Sequence, residues 1–354
     1  MIRVAVDAQI ADTSRAGIGQ YTAAILAELS RDPALTVIPL RPRRSGDFSM
    51  PRRLWWDQVT VPYLARQHRA DVILKTGFST PAFSSVPVVT VLHDLAARRF
   101  PHQLHRPSAW FFGRFAPWTL RWADRVVTIS DFTRREAIEQ LTLPSDQLMT
   151  VYLGCDENLS PEPSATDDQV ADRLDLPSRY ILHIGTIEPR KNLAFLIRAF
   201  NRYAERHPDD SLLLVGRDGW HSDDVHAAAA ASRAPVRFLD AVDDAAKRVL
   251  LRRARVLAFP SQYEGFGLPP LEAMRSGVPV VASRHSSIPE VVGDAGILLD
   301  GYDEQVWADA LSRAADDGPE REQLRQAGLR QAEKFSWPSS GRAISQLLQS
   351  LVHG

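Results

Sequence analysis

Two glutamates, Glu264 and Glu272, stand eight positions apart in the stretch "YEGFGLPPLEAM", residues 263–274, which follows the apolar run "RVLAFP". Pro269 and Pro270 suit the first positions of a helix, where a missing N–H costs nothing, so Glu272 is expected in the first helical turn and "EGFG" in the loop before it. Such a helix start offers the amides of Phe266, Gly267 and Leu268, with Gly265 in the same loop, to an oxygen-rich ligand, while the carboxylates accept from hydroxyls. A sugar carried on a phosphate has both kinds of group. The same residues also fit an ordinary strand–loop–helix connection with an acidic first turn, so this pair alone leaves binding and helix stabilisation equally open.

A second strand end favours binding. "YILHIG" is followed by "TIEPRKNLAFLIRAF", which places Arg190 and Lys191 where a helix begins. Two cations there oppose the helix dipole, and they suit a diphosphate, Arg through its fork and Lys as a point charge. Gly17 and Gly19 open another helical pattern, "RAGIGQYTAAILAEL", but Thr22 stands where the dinucleotide fingerprint needs a third small residue. A lone Gly-Ile-Gly reads as a tight turn or as a close backbone approach to phosphate or sugar. His93, at the end of "VVTVLHD", is by itself a satisfied polar residue more often than a base. No spacing of His, Asp or Glu suggests a metal, so a diphosphate is expected to be met by Arg190, Lys191 and helix amides instead.

The elements that must hold these residues are short apolar runs alternating with amphipathic segments: "IRVAVD", "DVILKTG", "PVVTVLHD" and "RVVTIS", then "YILHIGT", "SLLLVG", "RVLAFP" and "PVVAS". Continuous runs of this kind are buried parallel strands in β-α units, and two series imply two doubly wound sheets. A length of 354 residues agrees with two domains. The polar, proline-bearing stretch 155–178 reads as their connection. With 44% hydrophobic and 24% charged residues the composition is globular, and no apolar stretch is long enough for a membrane span. The strand-like start "MIRVAVDAQ" lacks the order of a signal peptide, and Cys155, the sole cysteine, excludes an intrachain disulfide, so a cytoplasmic location is expected. Residues 1–160 carry a formal +4 and the remainder −5, which hints at anionic partners for the first part.

Taken together, "VLHDL", "VVTISDFTRRE", "YLGCD", "GTIEPRKN", "PSQYEGFGLPPLEAMRSGVPVVAS" and "IPEVVGDAGILLD" strongly resemble family 4 of the retaining glycosyltransferases, over nearly the whole chain and in order. The resemblance implies an α/β fold of two facing Rossmann-like domains, the glycosyltransferase B fold, with parallel sheets flanked by helices. It divides the chain into an acceptor domain, 1–160, a nucleotide-sugar donor domain, 161–335, and a C-terminal helix, 336–354, packing back on the first. Carried over by motif, Glu264 would meet hydroxyls of the donor sugar, Glu272 the ribose, Arg190 and Lys191 the diphosphate, and His93 the transferred sugar. Gly17 and Gly19 would approach the phosphate or acceptor side. In "FLDAVDDAAK", Val242 and Lys247 would contact the nucleobase; the residues themselves describe only a helix start. Thr186 departs from the arginine that many relatives place after the glycine of this strand, shifting the diphosphate load to Arg190 and Lys191.

Resemblance to the mannosyl branch points to GDP-mannose as donor, without a metal cofactor, and to a glycan or lipid-linked saccharide as acceptor. The alternatives are a UDP-sugar-dependent glucosyltransferase, a sugar phosphorylase on the same fold, and a binding protein without turnover. An incomplete glycine fingerprint disfavours a nicotinamide oxidoreductase. Residues 98–125 contain six arginines and one acid, and Phe111, Phe115, Trp118 and Trp122 fall on one helical stripe. The stripe reads as core, with arginines left to meet phosphates or the inner face of a membrane. Residues 41–56 add five arginines before a tryptophan pair and read as a loop. Nothing matches a nucleic-acid-binding fold.

Overall fold

The computed structural model describes residues 1–11, 17–42, 46 and 48–353. The chain forms two compact units, one of Met1–Gly154 with Ser336–Gly354 and one of Cys155–Phe335.

Unit 1 is built on a six-stranded parallel sheet: β1 (Ile2–Asp7), β2 (Leu35–Leu40), β3 (Val72–Lys75), β4 (Val88–Leu92), β5 (Arg125–Thr128) and β6 (Leu148–Thr150). The spatial order is β2-β1-β3-β4-β5-β6. Strands β3 and β4 are buried along their whole length, as their unbroken apolar runs require of strands covered on both faces. The C-terminal helix Trp337–His353 packs on the helix Ile18–Ser30, burying Ile344 and Leu348 completely. Gly341 permits this approach, since a Cβ there would fall 2.5 Å from Cβ of Glu28. Gly154 is tighter still: a Cβ would fall 2.2 Å from the backbone nitrogen of Trp337.

Unit 2 repeats the plan with β7 (Tyr180–Ile184), β8 (Ser211–Val215), β9 (Val236–Leu239), β10 (Val256–Phe259), β11 (Val280–Ser283) and β12 (Ile297–Leu299), in the order β12-β11-β10-β7-β8-β9, all parallel. The helices Leu193–Ala204 and Glu304–Ala315 cover one face and bury Phe200, Trp307 and Leu311. Each fully buried apolar side chain of this size contributes roughly 1.5–3 kcal/mol. The architecture is the two-sheet, Rossmann-like α/β class expected from the alternation of apolar runs and helical patterns.

Two readings of unit 1 are corrected. The aromatic stripe is not a core face: Phe111 is fully buried, yet Trp118 is 44% exposed. The reason is a π-helical turn at Phe111–Phe115, followed by short helical pieces at Ala116–Thr119 and Leu120–Trp122, which rotates later residues off the 3.6-residue period. Residues 41–56 are also not simply a loop. Positions 43–45 and 47 lie outside the described residues, but Met50–Trp55 is helical and continues through a π-helical turn, Trp56–Thr60, into Val61–Gln67. Arg53, on that helix, is 7% exposed. It donates to Oε1 of Gln9 at 2.5 Å and lies 4.0 Å over the Phe78 ring.

The π-helical turn at Trp56–Thr60 is tied down by charge. Lys75, fully buried at the end of β3, pairs with Asp7 at 2.5 Å and Asp57 at 2.7 Å. Asp57 also accepts from the Ser79 hydroxyl at 2.8 Å, and Asp7 from the Trp56 indole at 2.9 Å. Burial raises Asp57 above the ordinary carboxylate range. Burial works the same way on Asp7, but the Lys75 ammonium beside it outweighs that and holds it below the range.

Candidate active site

In unit 2 the loops leaving β7 and β10 bring four charged side chains together. The chain leaves β7 through Gly185 and enters a 3-10 turn, Pro189–Lys191, before Asn192, at φ 57°, starts the helix Leu193–Ala204. This turn carries Glu188, Arg190 and Lys191. The chain leaves β10 through "PSQYEGFG", and Gly267, at φ 114°, starts the helix Leu268–Arg275. Two hydrogen bonds lock these loops: the Gln262 amide donates to the Arg190 carbonyl at 2.8 Å, and Arg190 Nη1 donates to the Tyr263 carbonyl at 2.9 Å. Ser286 and Ser287 hold the second loop from below. The Glu264 amide donates to Oγ of Ser286, and Oγ of Ser287 donates to the carbonyls of Glu264 and Phe266.

Glu264 is 8% exposed. Its Oε1 lies 2.5 Å from Lys191 Nζ and its Oε2 3.0 Å from Arg190 Nη1. Arg190 turns its Nε to Glu188 at 2.6 Å. The four side chains therefore sum to zero charge. Burial alone would raise the Glu264 carboxyl, but Lys191 and Arg190 overcome it and hold it at about 2. Lys191 is pushed below its ordinary value by burial and by the neighbouring Arg190 guanidinium.

Glu272 sits on the same helix as the loop's continuation and is 3% exposed. The helix begins at Leu268, with Pro269 and Pro270 as its second and third residues, so Glu272 falls just past the first turn and not within it. It pairs with Lys247 Nζ at 2.7 Å. Lys247 belongs to the helix Asp244–Arg253, which Asp243 caps by accepting from the Ala246 amide at 2.7 Å. Val242 is half-buried in the preceding loop, while Gly265 and Phe266 are buried beside Glu264. Arg190, Lys191, Glu264, Gly265, Phe266, Gly267, Leu268, Glu272, Lys247 and Val242 thus all lie at the carboxyl edge of one sheet, where parallel α/β sheets take ligands.

The remaining candidates belong to unit 1. His93 Nε2 lies 2.8 Å from the Thr76 carbonyl. A carbonyl only accepts, so Nε2 carries the proton and Nδ1 keeps a lone pair. Burial pushes the imidazole below its ordinary value, so it is neutral near pH 7. The Tyr21 ring stands edge-on to it at 5.0 Å. Gly17, at φ 47°, precedes the helix Ile18–Ser30, and Gly19 is buried in its first turn. Arg15 and Ala16, which precede them, lie outside the described residues. Among the described residues no group of three His, Cys, Asp or Glu side chains is arranged to hold a metal ion.

Sequence reasoning passed over Glu188, the backing serines Ser286 and Ser287, and the Lys75 network. A glutamate before Pro-Arg-Lys looks like a helix-start acid, and only the fold shows it holding Arg190.

Comparison with known proteins identifies the family. A family model described as Glycosyl transferases group 1 matches residues 166–331, and one described as Glycosyltransferase Family 4 matches residues 20–159. The O-antigen chain mannosyltransferase B of Escherichia coli is 35% identical over 256 residues, 70% of this chain and 66% of its own length. A D-inositol 3-phosphate glycosyltransferase of Corynebacterium aurimucosum is 31% identical over 237 residues, 64% of this chain and 56% of its own length. The match therefore spans about two thirds or less of these relatives. Among solved structures, the sucrose-phosphate synthase of Thermosynechococcus elongatus superposes with a TM-score of 0.78 at 18% identity, covering 99% of each chain, which speaks for the fold alone. With residues 20–159 and 166–331 matched by the two models, the chain belongs to the group 1 glycosyltransferases, family 4, and has the glycosyltransferase B fold.

Proposed function

We propose that this protein is a retaining hexosyltransferase that moves mannose from GDP-mannose to a glycan or lipid-linked glycan in polysaccharide or glycolipid assembly. The observation that carries the reading is the buried set Glu264–Arg190–Lys191 beside Glu272–Lys247. Glu264 between two cations, with the Glu272–Lys247 pair at the same sheet edge, matches a ligand with hydroxyls at both ends and a diphosphate between them. The mannosyl donor rests on the likeness to the O-antigen mannosyltransferase.

On donor binding, Arg190 and Lys191 turn from Glu264 to the diphosphate, and Glu264 is released to accept from hydroxyls of the sugar. Glu272 receives the ribose hydroxyls, with Lys247 and Val242 next to the base. As the bond from the anomeric carbon to the diphosphate breaks, negative charge grows on the leaving phosphate, and preorganised cations in a buried site stabilise it most. Retention follows from attack on the face that the diphosphate leaves, with a phosphate oxygen taking the acceptor proton. Glu264 then positions the sugar without forming a bond to it. His93, neutral and with a lone pair on Nδ1, is able to accept from a sugar hydroxyl, the role the family reading assigns to it, as it assigns Gly17 and Gly19 to the phosphate or acceptor side.

For the acceptor, unit 1 offers a groove of about 900 Å³ lined by Trp110, Trp118, Arg98, Arg114 and Arg121. Among the described residues none of these arginines has a carboxylate partner, and the two tryptophans are about half-exposed. That combination suits an anionic, partly apolar acceptor, with peripheral contact to a membrane face as its consequence. No helix among the described residues is long and apolar enough to cross a membrane.

The test is transfer from GDP-mannose to a lipid-linked glycan with no added metal, the product anomer being read by NMR. An α-mannoside supports the reading. A β-mannoside refutes retention, turnover only with UDP-glucose moves the enzyme to the glucosyl branch, and dependence on orthophosphate identifies a phosphorylase.

A further inference from the structure

His183 is fully buried on β7, the one histidine within the core strands of unit 2. Its Nδ1 lies 3.0 Å from the Ala258 carbonyl on β10, and its ring stacks on Phe259 at 5.5 Å with 17° between planes. Because the carbonyl only accepts, the proton is on Nδ1 and Nε2 carries a lone pair. Among the described residues that Nε2 has no hydrogen-bond partner. A buried polar atom left unpaired costs roughly 1–3 kcal/mol and calls for an explanation.

Its position supplies one. A Cβ on Gly185 would lie 3.5 Å from His183 Nε2 and 3.8 Å from Lys191 Nζ, so the acceptor and the ammonium flank the same spot. Lys191 Nζ donates to Glu264 at 2.5 Å and lies 5.2 Å over the Phe259 ring on which His183 stacks. An ammonium has three N–H bonds. When Glu264 turns to the donor sugar, this buried ammonium loses its carboxylate.

We propose that His183 is a positioning residue for Lys191: its Nε2 accepts the N–H that Glu264 releases and keeps the ammonium charged at the diphosphate site. This rests on the donor reading given above. The charged groups facing the imidazole are Lys191 and Glu264, and with burial as the main cause its pKa is pushed down to about 4, so the lone pair persists at neutral pH.

The sequence makes a direct test possible, because it contains only four lysines, Lys75, Lys191, Lys247 and Lys334. Lysine 13Cε signals of the ligand-free protein are titrated in wild type, Glu264→Gln, and Glu264→Gln combined with His183→Phe or His183→Gln. Removing the carboxylate shifts the burden to His183. In that background His183→Phe is expected to lower the proton affinity of Lys191 about tenfold further, whereas His183→Gln, which restores an acceptor, leaves it near the single variant. The 15N signal of His183 Nε2 moves on Glu264→Gln as it gains a donor. Unchanged Lys75 and Lys247 signals confirm the fold. If Phe and Gln at 183 act alike on Lys191, or Nε2 does not respond, His183 is only a strand cross-link. Should the Phe variant fail to fold, the Nε2 signal in Glu264→Gln decides alone. GDP titration of wild type tests the donor reading separately, so failure of one does not pass for failure of the other.

Discussion

Substituting Glu264 by Gln removes the shared acceptor of two cations at almost constant volume. The carboxyl sits at about 2 in place of its ordinary 4.5, a depression worth about 3 kcal/mol of folding stability when the group is charged in both states. The sign follows from the direction of the shift. With a depressed folded value, the contribution is complete above the unfolded pKa and drains away as pH falls toward the folded one. The substitution is therefore expected to cost about 3 kcal/mol near pH 7 and about half of that near pH 3. Because burial and Arg190 already push Lys191 down, loss of Glu264 leaves that ammonium easier to discharge, and the alkaline side of the stability profile steepens. The variant also changes the cluster from neutral to +1, so it is expected to bind free GDP roughly tenfold tighter while transfer collapses. Urea unfolding at the two pH values and calorimetry with GDP give the readouts. An equal stability loss at both pH values, or weaker GDP binding, would refute the reasoning.

Other consequences are as specific. Lys75→Met leaves Asp7 and Asp57 facing one another in the core and should cost about 3–5 kcal/mol, with unit 1 unfolding first in hydrogen exchange; a loss under 1 kcal/mol would contradict the network's role. Gly154→Ala drives a methyl into the backbone of Trp337 and should lower stability by more than about 2 kcal/mol, detaching the C-terminal helix as seen by limited proteolysis. His93 acts as a neutral acceptor with a lowered pKa, so full activity should persist as pH drops to about 6.5 and fall only below it. In His93→Gln that acid limb should disappear from kcat/KM. Glu272→Gln should weaken GDP binding by about tenfold with little effect on turnover at saturation, whereas Lys191→Met should reduce turnover itself.

Much of this site was legible because it sits where chain punctuation is strongest. Apolar runs ending in Gly or Pro mark strand ends, and Arg190, Lys191 and Glu264 each follow one within a few residues. The family's spacing then joined Glu264 to Glu272. What sequence did not disclose is pairing across long separations. Glu264 and Lys191 are 73 positions apart, and neither local stretch says that each is the other's partner. The same holds for Lys75, which looks like the polar end of an apolar strand until Asp7 and Asp57 arrive from elsewhere. The π-helical turns were invisible for a different reason. They share their residue preferences with α-helices, so a stripe drawn at 3.6 residues placed Trp118 inside when the turn at Phe111–Phe115 rotates it outward.

The central claim, that the unit 2 cluster holds the diphosphate of a sugar nucleotide, is tested most directly by calorimetric titration without metal. Wild type and Lys191→Met would each be titrated with GDP, GDP-mannose, UDP and UDP-glucose. The account predicts binding of GDP and GDP-mannose to wild type, and its loss in Lys191→Met. Binding of none of the four by a folded wild type, or binding unaltered by removal of the Lys191 charge, would contradict it.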